Sequence, residues 1–184
     1  MPLPTPTVLK TERLLLRWMD ENDTDAHFAV FSDPEVTRYW SGSPWTDREQ
    51  AVKAIAETMA NYANGSGLRF GVVLEATGEL IGNVTLHYFF EQNRRCEMGY
   101  AFGSRHWGQG YACEALHALI DYGFRELDLN RIEADVDPRN AGSMRVLEKL
   151  GFRKEGYMPE RWIVHGETAD TVFYGLLRRY WEGR

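Results

Sequence analysis

Two rhythms of apolar residues run along this chain. From Leu68 to Phe102 they cluster in short runs rich in β-branched and aromatic residues, so strands are expected at 68–74, 80–90 and 95–102, with turns at Thr77-Gly78 and Gln92-Asn93. The rhythm then changes. Ala112, Ala115, Leu116, Leu119, Ile120, Gly123, Phe124 and Leu127 recur at helical spacing, while Glu114, Asp121, Arg125 and Glu126 fall elsewhere on the wheel. Ile132, Ala134 and Val136 alternate with Glu133 and Asp135, which predicts a half-buried strand over 131–136 that stops at Asp137-Pro138. A short helix follows, capped by Asn140 or Ser143, buried through Met144, Leu147 and Leu150, and stopped by Gly151. Upstream, 22–32 and 46–62 read as helices, the second introduced by a Thr46-x-x-Glu49 capping box. Residues 161–165 and 170–177 suggest a final hairpin across Gly166. These elements imply an α/β (α+β) layer, largely antiparallel, with one strand-helix-strand crossover.

The junction entering that crossover helix is Arg105-His106-Trp107-Gly108-Gln109-Gly110-Tyr111-Ala112. A helix N-terminus offers unpaired amides and partial positive charge, and two glycines let a bulky anion come close. The same letters also suit a plain turn. No Lys-Ser or Lys-Thr follows, which removes a Walker loop, and Cys113 stands where a dinucleotide fingerprint needs Gly or Ala. Asn140 and Ser143, in turn, are read either as helix caps or as ligand contacts.

Taken together these segments resemble the GCN5-related N-acetyltransferases (GNAT). Arg105, Gly108 and Gly110 match that family's Arg/Gln-x-x-Gly-x-Gly/Ala acyl-CoA motif, and Asn140, Ser143 and Leu150-Gly151-Phe152 match its Asn-x-x-Ser and Leu-Gly-Phe signals. Thr11 to Arg17, Asp33-Pro-Glu-Val36, Glu97-Met-Gly-Tyr100 and Trp107 to Ala112 are similar to the RimJ/RimL branch of ribosomal-protein N-terminal acetyltransferases. The resemblance covers residues 8 to 180. It implies a mixed, mostly antiparallel sheet of about six or seven strands with helices on both faces, splayed between 96–102 and 131–136 to admit a pantetheine arm. Acetyl-CoA is the implied co-substrate, contacting Tyr100, Phe102, Arg105, Trp107, Gly108, Gln109, Gly110, Tyr111, Ala112, Asn140 and Ser143. An amine is the implied acceptor.

Bulk properties narrow the setting. The 184 residues, 43% hydrophobic, can bury one core, and no linker or repeat divides them, so a single domain over 1–184 is expected. Neither a secretory leader nor a membrane-length apolar run is seen, which places the chain in the cytoplasm with Cys96 and Cys113 as thiols. Net charge is -6, so nucleic acid is not an expected partner, and a cationic amine is. His27, His87, His106, His117 and His165 show no metal-ligand spacing, and no metal is expected.

Acyl transfer needs a neutral amine, a stabilised oxyanion and a proton for the thiolate. An α-amine of pKa about 7.7–8.0 is neutral in roughly one molecule in ten at pH 7, against one in several thousand for lysine at about 10.4. A protein N-terminus is therefore the least demanding acceptor. The resemblance puts the thioester carbonyl at the end of the strand finishing in Tyr100 to Phe102, and it makes Ser143 the acid for the thiolate. Among Glu97, Asp135 and Glu160, Glu97 ranks first as base because it precedes Gly99, where the strand could open. Tyr39 and Trp40, beside Ser41-Gly-Ser-Pro44, sit where a substrate-covering loop is expected. Alternatives are acetylation of a small amine, a non-catalytic acyl-CoA-binding module and, least favoured, a nucleotide-dependent oxidoreductase. Exposed final strands in this family suit a homodimer.

Overall fold

A computed structural model describes residues 5–164 and 166–183. His165, the end of the expected hairpin strand, lies outside them. Strands β1 (Val8–Lys10), β2 (Leu14–Trp18), β3 (Gly67–Leu74), β4 (Leu80–Phe90), β5 (Arg95–Phe102), β6 (Arg131–Val136), β7 (Arg153–Val164) and β8 (Glu167–Leu177) form one sheet in the order β1-β2-β3-β4-β5-β6-β8-β7. Every pairing is antiparallel except β5 with β6. The parallel step follows from the helix between them, α4 (Tyr111–Arg125), which carries the chain back to the end at which β5 began.

The sheet has eight strands, beyond the six or seven anticipated. The hairpin of β1 and β2 is the addition: strands of three and five residues are too short to display a two-residue period. β7 also begins eight residues before the anticipated start, at Arg153 rather than Arg161. Its residues are exposed on both faces, so no alternation marks it.

Helices cover both faces. The α4 stripe Ala115, Leu116, Leu119, Ile120 and Phe124 is fully buried against Leu68, Phe70, Val84, Leu86, Met98 and Ile132, and Leu147 of α5 (Ala141–Lys149) joins the same core. On the opposite face lie α1 (Thr24–Phe31), the single turn α2 (Pro34–Thr37) and α3 (Arg48–Asn64), which bury Val30, Phe31, Val36 and Ile55. The anticipated capping box moves by one residue. Asp47, not Thr46, caps α3, and the Gln50 side chain answers the backbone N-H of Asp47 at 3.1 Å. A four-residue helix, α6 (Arg178–Trp181), ends the described chain.

Side-chain alternation sorts chemistry between the faces. On β5, Cys96, Met98, Tyr100 and Phe102 face α4, whereas Glu97, Gly99 and Ala101 face the layer of α1 and α2.

Candidate active site

The ladder between β5 and β6 is only three residues long, ending at Glu97 opposite Glu133. Beyond it β6 stays with β8, pairing Asp135 to Phe173 and Val136 to Val172, and the two strands part. Backbone period fixes which groups this strands. The Arg94 carbonyl accepts from Asn130 and Arg131 on the β6 side, and the Gly103 amide donates to Ile81 on the β4 side. Even-numbered residues of β5 therefore present their amides to the gap, including Tyr100 and Phe102. The anticipated splay is thus a row of main-chain groups with no strand partner.

A cavity of about 620 Å³ runs from this gap to the start of α4, lined by Tyr100, Phe102, Trp107, Gly108, Gly110, Asn140 and Ser143. Tyr111, Ala112 and Cys113 of the first turn of α4 line it too. Gly108 and Gly110 hold φ of 74° and 84°, left-handed values at which a side chain would be strained. No side chain caps α4 at Gly110, so the amides of its first turn stay available to a ligand. Arg139, Arg145 and Lys149 line the same cavity, giving it cations as well as amide donors. This donor set fits the phosphates of a coenzyme A.

Other groups hold the loop in shape. Arg13 donates to Glu114 of α4 at 2.7 Å and to the Gln109 carbonyl at 3.1 Å, and its guanidinium lies 4.5 Å from the Tyr111 ring centroid. Trp107 Nε1 donates to the Phe102 carbonyl at 2.7 Å, tying the loop to the last residue of β5. Two anticipated contacts do not reach the cavity with their side chains. Arg105 is exposed and ion-paired with Glu79, and the Gln109 amide turns back to the Arg105 carbonyl at 3.2 Å.

Asn140 caps α5, its Oδ1 accepting the Ser143 N-H at 3.0 Å, so the capping reading holds for this residue. Ser143 goes further. Its Oγ lies 2.7 Å from the Tyr100 hydroxyl across the gap, and burial pushes Tyr100 up to about 12, so the phenol stays protonated at neutral pH. Nothing in the spacing announces this pair, because 43 residues separate its members.

On the other face, the Glu97 side chain forms no hydrogen bond or ion pair among the described residues. Burial first, then Asp135 and Glu133, raise its pKa above the ordinary carboxylate value. Its neighbours are better compensated: Arg95 and Arg131 bind Glu133 at 2.7 and 2.6 Å, and Arg161 stands 3.9 Å from Asp135. Glu160 is an exposed residue of β7 itself, inside the hairpin, and its backbone N-H donates to Asp170 at 2.8 Å. Tyr39 and Trp40 line the cavity where it opens beneath α2, and Arg139 lies 5.9 Å from the Tyr39 ring centroid. Among the described residues no His, Cys, Asp and Glu side chains gather as a metal site, and no helix is long and apolar enough to cross a membrane.

The family pattern described as "Acetyltransferase (GNAT) domain" matches residues 13–153. The chain belongs to the GNAT acetyltransferases. Uncharacterized N-acetyltransferase p20 of Bacillus licheniformis is 41% identical over 95% of this chain and 98% of its own length. The [Ribosomal protein uS5]-alanine N-acetyltransferase of Escherichia coli is 30% identical over 94% of this chain and 92% of its own. Among solved structures, Mycobacterium smegmatis RimJ in complex with CoA-disulfide superposes with a TM-score of 0.83 at 26% identity, covering 97% of this chain and 90% of that one. This GNAT chain is an N-acetyltransferase, with relatives named for ribosomal-protein acetylation at moderate identity.

Proposed function

We propose that this GNAT enzyme transfers the acetyl group of acetyl-CoA to a protein N-terminal α-amine, by direct attack while both substrates are bound. The observation that carries the reading is the opened edge of β5. There, unpaired amides face the Tyr100–Ser143 hydroxyl pair on one side of the sheet, and the Glu97 carboxylate, outside any described ion pair, stands on the other. An acetyl donor threaded through the gap presents its carbonyl to an amine arriving from the Glu97 face.

The roles divide along the cavity. Amides from Gly108 to Ala112, with Trp107 and Tyr111 flanking them, hold the diphosphate, while Arg105 and Gln109 brace the loop. The amides of Tyr100 and Phe102 hold the pantetheine and the oxyanion that develops at the carbonyl. Asn140 sets the start of α5, and Ser143, hydrogen-bonded to a protonated Tyr100, delivers the proton to the departing sulfur. Glu97 attracts the acceptor ammonium and starts its deprotonation. The acceptor class is supported by the named activity of the E. coli relative and by the low cost of deprotonating an α-amine.

A thiol-release assay with acetyl-CoA across N-terminal peptides, free amino acids and polyamines tests this. Peptide α-amines give the highest kcat/KM, and Glu97→Gln lowers it. Transfer confined to polyamines or amino acids refutes the acceptor class, and coenzyme binding without transfer to any amine refutes catalysis.

A further inference from the structure

We propose that His87 is a catalytic residue of this transfer, its Nε2 taking the proton that the acceptor ammonium sheds before attack. The inference rests on the acetyl-transfer reading above and deepens it, naming the group beside Glu97 that receives the proton whose departure Glu97 starts.

Register places the group. His87 on β4 is the direct partner of Glu97 on β5, so the two side chains stand side by side on the face opposite α4. Gly99, two residues on, has no side chain, and a Cβ built there would lie 3.8 Å from His87 Nε2 and near nothing else. The imidazole thus leans over the bare stretch of β5 from which the amides of Tyr100 and Phe102 open. Its two nitrogens differ: Nδ1 is enclosed without a hydrogen-bond partner, whereas Nε2 is not enclosed and is bonded to no described residue.

Backbone strain points the same way. The register between β4 and β5 slips between His87 and Phe90, and Tyr88, the next residue, holds φ of 49°. Bulges of this kind redirect a neighbouring side chain, and a non-glycine residue persists at positive φ only where its surroundings enforce it.

Burial first, and then one cation, keep the ring neutral against the carboxylates around it. Arg69 faces it from β3, Glu97 from β5 and Asp135 from β6, while His27 of α1 accepts from Arg69 at 3.3 Å. Burial and Arg69 hold the imidazole below its ordinary pKa, and Asp135 opposes them in part. A neutral ring keeps one nitrogen as an acceptor, and Nε2 is the nitrogen that is not enclosed.

The proton balance closes. One ammonium N-H bond breaks to Nε2, and the imidazolium returns that proton to solvent. The N-C bond forms as the C-S bond breaks, and the second proton lost by nitrogen balances the one gained by sulfur.

The test compares the unaltered enzyme with His87→Gln and Gly99→Ala, using an N-terminal peptide it acetylates. His87→Gln lowers kcat about 100-fold while calorimetry finds acetyl-CoA affinity unchanged within about twofold, the span expected for loss of a general base. In the unaltered enzyme kcat/KM levels off above an acid limb lying below pH 6.5. In His87→Gln it climbs with the unprotonated fraction of the peptide amine toward about pH 8. Gly99→Ala, whose new methyl group covers Nε2, lowers kcat/KM for the peptide and spares acetyl-CoA binding. A His87→Gln enzyme with kcat within about threefold of the original and an unchanged pH profile overturns the assignment, since removing a general base costs far more. Failure of the unaltered enzyme to acetylate any amine overturns the functional reading itself.

Discussion

His27 makes the stability of this protein acid-sensitive by an amount the structure allows to be worked out. The ring is fully buried between α1 and the sheet, with Phe31 and Trp45 packed edge-on at 4.9 and 5.2 Å. Its Nε2 accepts from the Arg69 guanidinium, a role open only to the neutral ring, so a further proton on Nε2 would meet a cation, while Nδ1, which carries the neutral ring's proton, has no partner. Burial, and then Arg69, lower its pKa from 6.5 to about 3. The unfolded chain thus binds a proton that the folded one refuses, and stability falls as pH drops from 6.5 toward about 3. Each pH unit in that window costs about 1.4 kcal/mol, so acidification to pH 4.5 removes about 2.7 kcal/mol, a large share of a typical 5–15 kcal/mol total. His27→Gln keeps an acceptor for Arg69 and cannot titrate. Urea unfolding followed by tryptophan fluorescence, at about pH 7 and about pH 4.5, gives the loss for each protein. The original chain loses about 2.7 kcal/mol more than the variant, whose fixed cost cancels in the comparison along with every carboxylate the two share. Equal losses in both proteins refute the reasoning.

Gly110→Val places a β-branched residue at φ of 84° beside Arg13, so acetyl-CoA affinity measured by calorimetry falls more than tenfold, about 1.4 kcal/mol or more. Ser143→Ala removes the proton donor but leaves a thiolate whose ordinary pKa is about 8.5, so kcat in a thiol-release assay falls only about tenfold and recovers as pH is lowered toward neutrality. Gly82→Ala drives a methyl group into the Ala101 carbonyl and to 2.9 Å from Phe102 Cα, forcing β4 away from β5, the strand whose other edge opens on the gap. It lowers stability by about 2–4 kcal/mol, read as a drop in thermal midpoint.

The elements that hold the coenzyme cavity were the ones most legible in the residues. The α4 stripe repeats over fifteen residues with a clear polar back, and two glycines at positive φ precede it. Asn140 and Gly151 bound α5 where the caps suggested. β1 and β2 are too short to carry a period, and β7 is exposed on both sides, so neither pattern signalled them. The contacts that finish the site were silent for another reason. Tyr100 meets Ser143 over 43 residues, Arg13 meets Glu114 over 101, and His87 stands beside Glu97 only through a hairpin register that a bulge then disturbs.

From its residues alone this chain declares a sheet with a crossover helix and a loop suited to phosphate, because period, cap and glycine placement act within a few neighbouring residues; its acyl-transfer chemistry is what the family resemblance implies. Tertiary structure decides where β5 and β6 part, which carboxylate is left without a counter-ion and which hydroxyls meet across the gap. Those outcomes depend on how each strand is shared among its neighbours. β6 keeps its pairing with β8 past Glu133, and the edge of β5 opens as a consequence.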